Sequence, residues 1–348
     1  MSTLIGITLV AIAGLGTGSV AWPMKLMRKL EFEHYWFVGM LVGLIIIPWA
    51  VVFAAVPEPL AAYGDVGLKP LILSNLFAVG WGIANVLYGI CVVRIGAALT
   101  GAVLSGLGIV AGVTLPMIIK GTGLFENAPD LISKPGLMVL LGVVVILAGV
   151  IVCALAGFGR ERMLKKADET GRKATGGFLG GLIMAIIAGV VSCGISLSFV
   201  YSQGPIIEAM EARGVGPIVA GISVWAAALF AGALVNILYP AYLMTRKKSW
   251  GMLTQCWGDV FLGAIIGIQF ILAISLFLGN GMIQLGVLGA SVGFGIQQAM
   301  QIMGNQGVGF VSGEWRGVTG KPRSQMYAAV AILIVAIAVL AYANQLSQ

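Results

Sequence analysis

The chain has 348 residues, of which 59% are hydrophobic and only 9% charged, with a mean hydropathy of +1.03. Soluble proteins carry about a quarter of their residues charged, so this composition excludes an ordinary cytosolic protein and points to a polytopic membrane protein. The net charge of +7 implies no nucleic-acid partner, because the basic residues stand between apolar segments. One histidine and four cysteines scattered without CxxC spacing (Cys91, Cys153, Cys193, Cys256) offer no ordinary zinc site, so no metal or cofactor is expected.

A spanning helix needs roughly 20 apolar residues. Ten such segments can be marked, at about 3–23, 36–56, 70–91, 96–119, 137–157, 176–200, 217–244, 260–279, 284–311 and 325–345. The first begins at Leu4 and runs into Trp22-Pro23-Met24-Lys25, which reads as a transmembrane helix and not a cleaved signal. Further along, the third and fourth segments are joined by a turn around Arg94 that is short enough for a tight helical hairpin. Trp81, Asn85 and Tyr88 precede that turn at spacings of four and three, so they share one helix face. Small residues follow it, at Gly96, Gly101, Ser105, Gly106, Gly108 and Gly112. A polar face beside a glycine-rich helix reads as one wall of a cavity, because polar groups in hydrocarbon need a partner or water.

The longest hydrophilic stretch, Arg160 to Lys173, falls at the midpoint. It suggests a first unit of five helices over 1–159, a cytoplasmic linker over 160–174 and a second unit of five over 175–348. Five helices per half means that halves sharing a fold would insert in opposite orientations, the inverted-repeat plan of many secondary transporters. If the first loop is cytoplasmic, alternate loops hold 16 of the 20 basic residues, as the positive-inside rule requires. Both termini are then expected to be periplasmic. In the second half, residues 260–313 contain no charge but do contain Gln269, Gln284, Gln297, Gln298, Gln301, Asn305 and Gln306. Gln297, Gln301 and Asn305 are spaced by four and form a polar stripe along the ninth helix.

No Asp or Glu lies in the middle third of any of the ten segments. Candidates for a proton-carrying group are therefore confined to segment ends, at His34, Asp259 and Glu314, whose ordinary reading is as surface residues. Glu31, Glu33, Glu208 and Glu211 are likewise expected to be solvated. Enzyme motifs such as HExxH, GxSxG and GxxxxGK[ST] are missing. An enzymatic function is not expected.

Several of these residues carry a family likeness. Pro23-Met24-Lys25, Glu33, Trp36, Val38-Gly39 and Ile47-Pro48-Trp49 form one group, and Trp81-Gly82-Ile83, Asn85, Tyr88-Gly89 and Gly96 a second. With Gln269-Phe270 and Glu314-Trp315, they make the chain resemble the L-rhamnose–proton symporter family of the drug/metabolite transporter superfamily. The resemblance implies an all-α membrane protein with ten transmembrane helices in two inverted five-helix repeats, a cavity between them, and uptake of a deoxy sugar with a proton across a bacterial inner membrane. Residues 285–294 depart from that family's pattern, being poorer in aromatic and acidic residues, and the departure bears on sugar identity and proton coupling.

The expected substrate-binding residues are Trp81 for stacking on an apolar sugar face, with Asn85, Gln269, Gln297 and Gln301 for hydrogen bonds to hydroxyls and Tyr88 flanking them. Expected partners are a small sugar, protons and the lipid bilayer. A facilitator or exporter of another polar metabolite remains open, as does a membrane sensor or assembly module that moves nothing.

Overall fold

The computed structural model describes residues 2–95, 97–165 and 178–347, and the described residues are helical with no strand. Among the described residues, eight helices are long and apolar enough to cross a membrane. They are α1 (Thr3–Leu26), α2 (Phe32–Ala55), α3 (Leu68–Cys91), α4 (Thr100–Ile119), α5 (Lys134–Met163), α6 (Leu179–Glu211), α8 (Trp257–Gln284) and α10 (Lys321–Gln345). Between α6 and α8, the helices Pro217–Ala228 and Phe230–Lys247 meet at a 55° bend and make a ninth candidate span if taken together as α7. The 23-residue helix α9 (Gly289–Val311) is about 34 Å long at 1.5 Å per residue, but its amides keep it from being as apolar as the others.

The expected hairpin turn falls at residue 96, outside the described residues; the helix before it is described to Ile95 and the one after it from Ala97. Arg94 is in the last turn of the first of these, and its side chain lies outside the described residues. The helix of α5 continues to Lys165, into the stretch expected as linker. Residues 166–174 of that linker lie outside the described residues.

The bend in α7 has a visible cause. A broken helix leaves carbonyl and N–H groups without internal partners, and in hydrocarbon these need others. Asn75 of α3 supplies both kinds: its Nδ2 donates to Ala227 O at 2.9 Å and its Oδ1 accepts from Ala231 N–H at 2.8 Å. Ser198 of α6 donates to Ala228 O at 2.8 Å.

Packing follows the small residues. α1 lies along α9 so closely that a Cβ on Gly14 would sit 2.4 Å from Gln297 O, and one on Gly18 would sit 2.3 Å from Gln301 O. Only glycine allows two backbones this near. Elsewhere α5 packs along α10, α3 against α6 and α7, α2 against α7 and α8, and α4 against α5, α6 and α9. The buried core is continuous through the bundle and gathers large rings at one end, where Phe199 stacks on Trp225 at 4.8 Å and Phe125 meets Phe199 at 6.2 Å.

Candidate binding cavity

A cavity of about 520 Å³ opens at the other end of the bundle. That volume lies within the roughly 300–1,000 Å³ usual for small-molecule sites. Its wall is built from the C-terminal halves of α1, α3, α5 and α9 and the N-terminal ends of α2 and α4, through Thr17, Trp36, Asn85, Tyr88, Ser105 and Gln301 among others. These six helix segments all belong to the end that carries the connections at residues 27–31 and 312–320. The mouth holds an ionic cluster. Glu314 pairs with Lys25 of α1 and, at 2.5 Å, with Arg160 of α5. The Arg160 guanidinium also lies over the Trp315 ring, 5.5 Å from its centroid.

Two hydrogen-bonded networks stand behind the polar part of the wall. In the first, Asn236 of α7, fully buried, accepts at Oδ1 from Trp36 Nε1 at 3.0 Å and from Asn85 Nδ2 at 3.1 Å, while its own Nδ2 donates to Gly232 O at 2.9 Å. In the second, Gln297 Nε2 donates to Thr17 Oγ1 at 2.8 Å and to Gln301 Oε1 at 3.0 Å. Buried polar groups are costly unless paired, and these networks pair them with little slack.

The sequence-expected residues divide between wall and interior. Asn85, Tyr88 and Gln301 line the cavity together. Gln297, 4% exposed, stands one helical turn behind Gln301. Trp81 is 7% exposed and stacked on Phe270 at 5.9 Å, behind the wall. Gln269 is also away from the cavity: its Nε2 donates to Gly16 O at 2.8 Å and to Ser19 Oγ at 2.7 Å, tying α8 to α1.

Of the expected proton candidates, only Glu314 reaches the cavity. Asp259 accepts at Oδ2 from the backbone N–H groups of Arg28, Lys29 and Leu30 at 3.1, 2.7 and 3.1 Å, holding the α1–α2 connection in shape. His34 and Glu33 are not surface residues: they are 2% and 3% exposed. The correction has a physical reason, because both are covered by the α7–α8 connection. His34 Nε2 faces Ser249 Oγ at 2.9 Å and Ser249 O at 3.2 Å, and its Nδ1 accepts from Glu31 N–H. Glu33 pairs with Lys247 at 2.7 Å, and the same lysine reaches Glu31 at 2.9 Å. That hydrogen bond from Lys247 holds the Glu31 carboxyl below its ordinary value.

Sequence reasoning missed Thr17 and the orienting role of Asn236. A signal existed for Asn236, a carboxamide in the middle of an apolar segment, but nothing in the sequence says which other helix it meets.

The fold and cavity together define a class: a many-helix membrane protein with a polar, solvent-reachable chamber at one end. A profile of the L-rhamnose-proton symport protein family matches residues 1–345, and the chain belongs to that family, one of transporters and not of enzymes. Among similar proteins is an L-rhamnose-proton symporter of Escherichia coli O17:K52:H18 (strain UMN026 / ExPEC), 27% identical over 324 residues that cover 90% of each chain. Proteins of the same name from Shigella dysenteriae serotype 1 (strain Sd197) and Shigella flexneri are 27% identical over 323 and 324 residues, with the same 90% coverage of both chains.

Proposed function

We propose that this protein is a secondary transporter that imports a neutral deoxy sugar, L-rhamnose first, together with a proton across the bacterial inner membrane. The observation that carries the reading is the cavity wall itself: uncharged amides and hydroxyls, backed by paired networks, in a chamber of small-molecule size. Hydroxyl recognition needs no net charge, and the ionic cluster at the mouth leaves the amide-lined part of the wall neutral. The names of the similar proteins support both the sugar and the proton.

In this reading the protein has ten spans in two inverted five-helix repeats, 1–159 and 175–348. Paired contacts support it. A Cβ on Gly43 of α2 would sit 2.5 Å from Gly267 O of α8, and one on Gly232 of α7 would sit 2.4 Å from Ala78 O of α3. Adding 189 to 43 gives 232, and subtracting 189 from 267 gives 78, so one displacement interchanges the two contacts. The linker and the other basic loops face the cytoplasm, both termini face the periplasm, and the cavity opens inward. Asn85, Tyr88 and Gln301 touch the sugar, Gln297 supports Gln301, and Trp81 and Gln269 brace the wall. Glu314 carries the proton, while His34 and Asp259 hold loops together.

Uptake of L-rhamnose into proteoliposomes, with and without an imposed inward proton gradient, tests this. Accumulation that a protonophore collapses, lost in Glu314→Gln while counterflow persists, is the expected result. Saturable entry that ignores the gradient would make the protein a facilitator. No uptake by folded protein would remove L-rhamnose as the substrate.

A further inference from the structure

Which way two carboxamides of the cavity wall face, Asn85 and Gln301, follows from their neighbours. An indole N–H only donates and a backbone carbonyl only accepts. Asn236 meets one of each, Trp36 Nε1 and Gly232 O, so its oxygen must face Trp36 and its nitrogen Gly232. The group that Asn85 turns toward that oxygen must then be its NH2, at 3.1 Å. Asn85 Oδ1 is left for the cavity, as an acceptor.

The second network ends with the opposite sign. Thr17 spends its one hydroxyl hydrogen on the backbone carbonyls of Ala13 and Gly14, at 3.0 and 3.1 Å. With that hydrogen given to the backbone, Thr17 accepts from Gln297, which turns its NH2 toward the hydroxyl. The second hydrogen of that NH2 goes to Gln301 Oε1 at 3.0 Å. Gln301 Nε2 is left for the cavity, as a donor. Both residues line the same chamber.

We propose that the cavity reads its ligand with a fixed polarity. Asn85 Oδ1 takes a hydrogen from one ligand hydroxyl, Gln301 Nε2 gives one to a second ligand oxygen, and Asn236 and Gln297 are the positioning residues that set the two directions. The inference rests on the cavity being the substrate site, and the part of a ligand that meets these two amides is a neutral polyol. A carboxylate or phosphate would set oxygen against Asn85 Oδ1, and an ammonium would leave the Gln301 NH2 unpaired. Two hydroxyls satisfy both, because each can donate or accept, and the rotatable hydroxyls of Tyr88 and Ser105 add no preference.

The test is equilibrium binding of L-rhamnose and its monodeoxy and monodeoxyfluoro analogues to the purified full-length protein. Fluorine accepts weakly and never donates. At the position facing Asn85, deoxy and fluoro analogues should both lose about tenfold in affinity, the worth of one neutral hydrogen bond. At the position facing Gln301, the fluoro analogue should bind better than the deoxy one. Gln301→Glu keeps an oxygen for Gln297 but offers the ligand no NH2, so that fluoro preference should disappear. Asn236→Leu should free Asn85 and bring the hydroxy-to-fluoro ratio at the first position toward one. Asn236→Asp, which as the neutral acid donates to Gly232 O and accepts from Trp36 and Asn85, should retain the ratio even if the leucine variant fails to fold.

Wild-type protein that binds L-rhamnose yet treats deoxy and fluoro analogues alike at every position would overturn the polarity while leaving the sugar-transport reading intact. Protein that binds no L-rhamnose would overturn the substrate instead. Titration with L-fucose and xylitol against glucosamine and glucuronate then decides the polarity. Binding of the neutral pair upholds it, and binding confined to the charged pair overturns it.

Discussion

Trp36 and Trp225 stand at opposite ends of the bundle, each seven residues before the glycine at which its helix touches a neighbour, Gly43 and Gly232. Their surroundings differ completely. Trp36 borders the cavity and donates to Asn236. Trp225 is 1% exposed, stacked on Phe199, and its indole N–H has no partner. The open end turns amides to the cavity, and among the described residues unpartnered buried atoms occur at both ends: Arg160 Nε and Trp315 Nε1 beside the cavity mouth, and Trp49 Nε1, Ser196 Oγ and both amide atoms of Asn344 away from it. An unmet buried polar group costs about 1–3 kcal/mol. At the packed end ring contacts and paired groups such as Tyr63 with Ser223 outweigh that cost, and on the transport reading the unmet atoms there gain water when that end opens.

The largest expected effect breaks the pair of tryptophans apart. Trp225→Ala empties a ring site in the closed core and should cost about 3–5 kcal/mol of stability. Trp36→Ala removes a partly buried ring and one hydrogen bond at the wall of an open chamber, so it should cost clearly less stability but weaken sugar binding. Thermal unfolding and ligand titration on the same two preparations check both. Equal destabilisation by the two would deny the difference between the ends.

Next in size is the pair of glycine contacts. Gly43→Val and Gly232→Val each force a side chain into a backbone carbonyl, and overpacking of this kind costs about 1–3 kcal/mol. If one displacement relates the two contacts, the two costs should agree within about 0.5 kcal/mol. A large inequality in their unfolding temperatures would count against the repeat.

Asn344→Leu works in the other direction. It removes two unpaired buried groups and should stabilise the closed end by about 1–3 kcal/mol. On the transport reading it should also slow uptake, because the closed end loses part of its reason to open. A stabilised variant that transports at the wild-type rate would separate the two ideas.

The sequence made the helices legible because a spanning segment is a one-dimensional signal, about 20 apolar residues between polar breaks. The carboxamide stripe Gln297, Gln301, Asn305 was legible for the same reason: helical spacing fixes a shared face. Pairings between distant helices leave no such trace. Nothing local to Gln269 says that Gly16 O and Ser19 Oγ take both hydrogens of its NH2, and nothing near His34 says that Ser249 covers it. Trp81 looked like a stacking platform because its depth suited one, but Phe270 takes that face. The orientation of Asn85 was out of reach for a further reason: it depends on Asn236, 151 residues away, and through it on Gly232 O.

The smallest effect concerns the clasp over the open end, where Lys247 joins Glu31 and Glu33 across the α1–α2 and α7–α8 connections. The Glu31 carboxyl is depressed in the folded protein, first by the hydrogen bond from Lys247 and then by that lysine's charge. A depressed carboxylate contributes stability that is present above its unfolded value, 4.5, and is lost as pH falls through the lower folded value. Glu31 and Lys247 are both largely exposed, so solvent screening limits the pair to a few tenths of a kcal/mol. Glu31→Gln should therefore leave the unfolding temperature nearly unchanged at low pH and lower it slightly at neutral pH, so that the wild-type and variant curves converge below about pH 4. Lys247→Met should do more at neutral pH, because it also strands Glu33, which is 3% exposed and has no other ion-pair partner among the described residues. If both variants followed the wild-type curve at every pH, the clasp would contribute nothing to the open end, and its shape would rest on the Asp259 contacts alone.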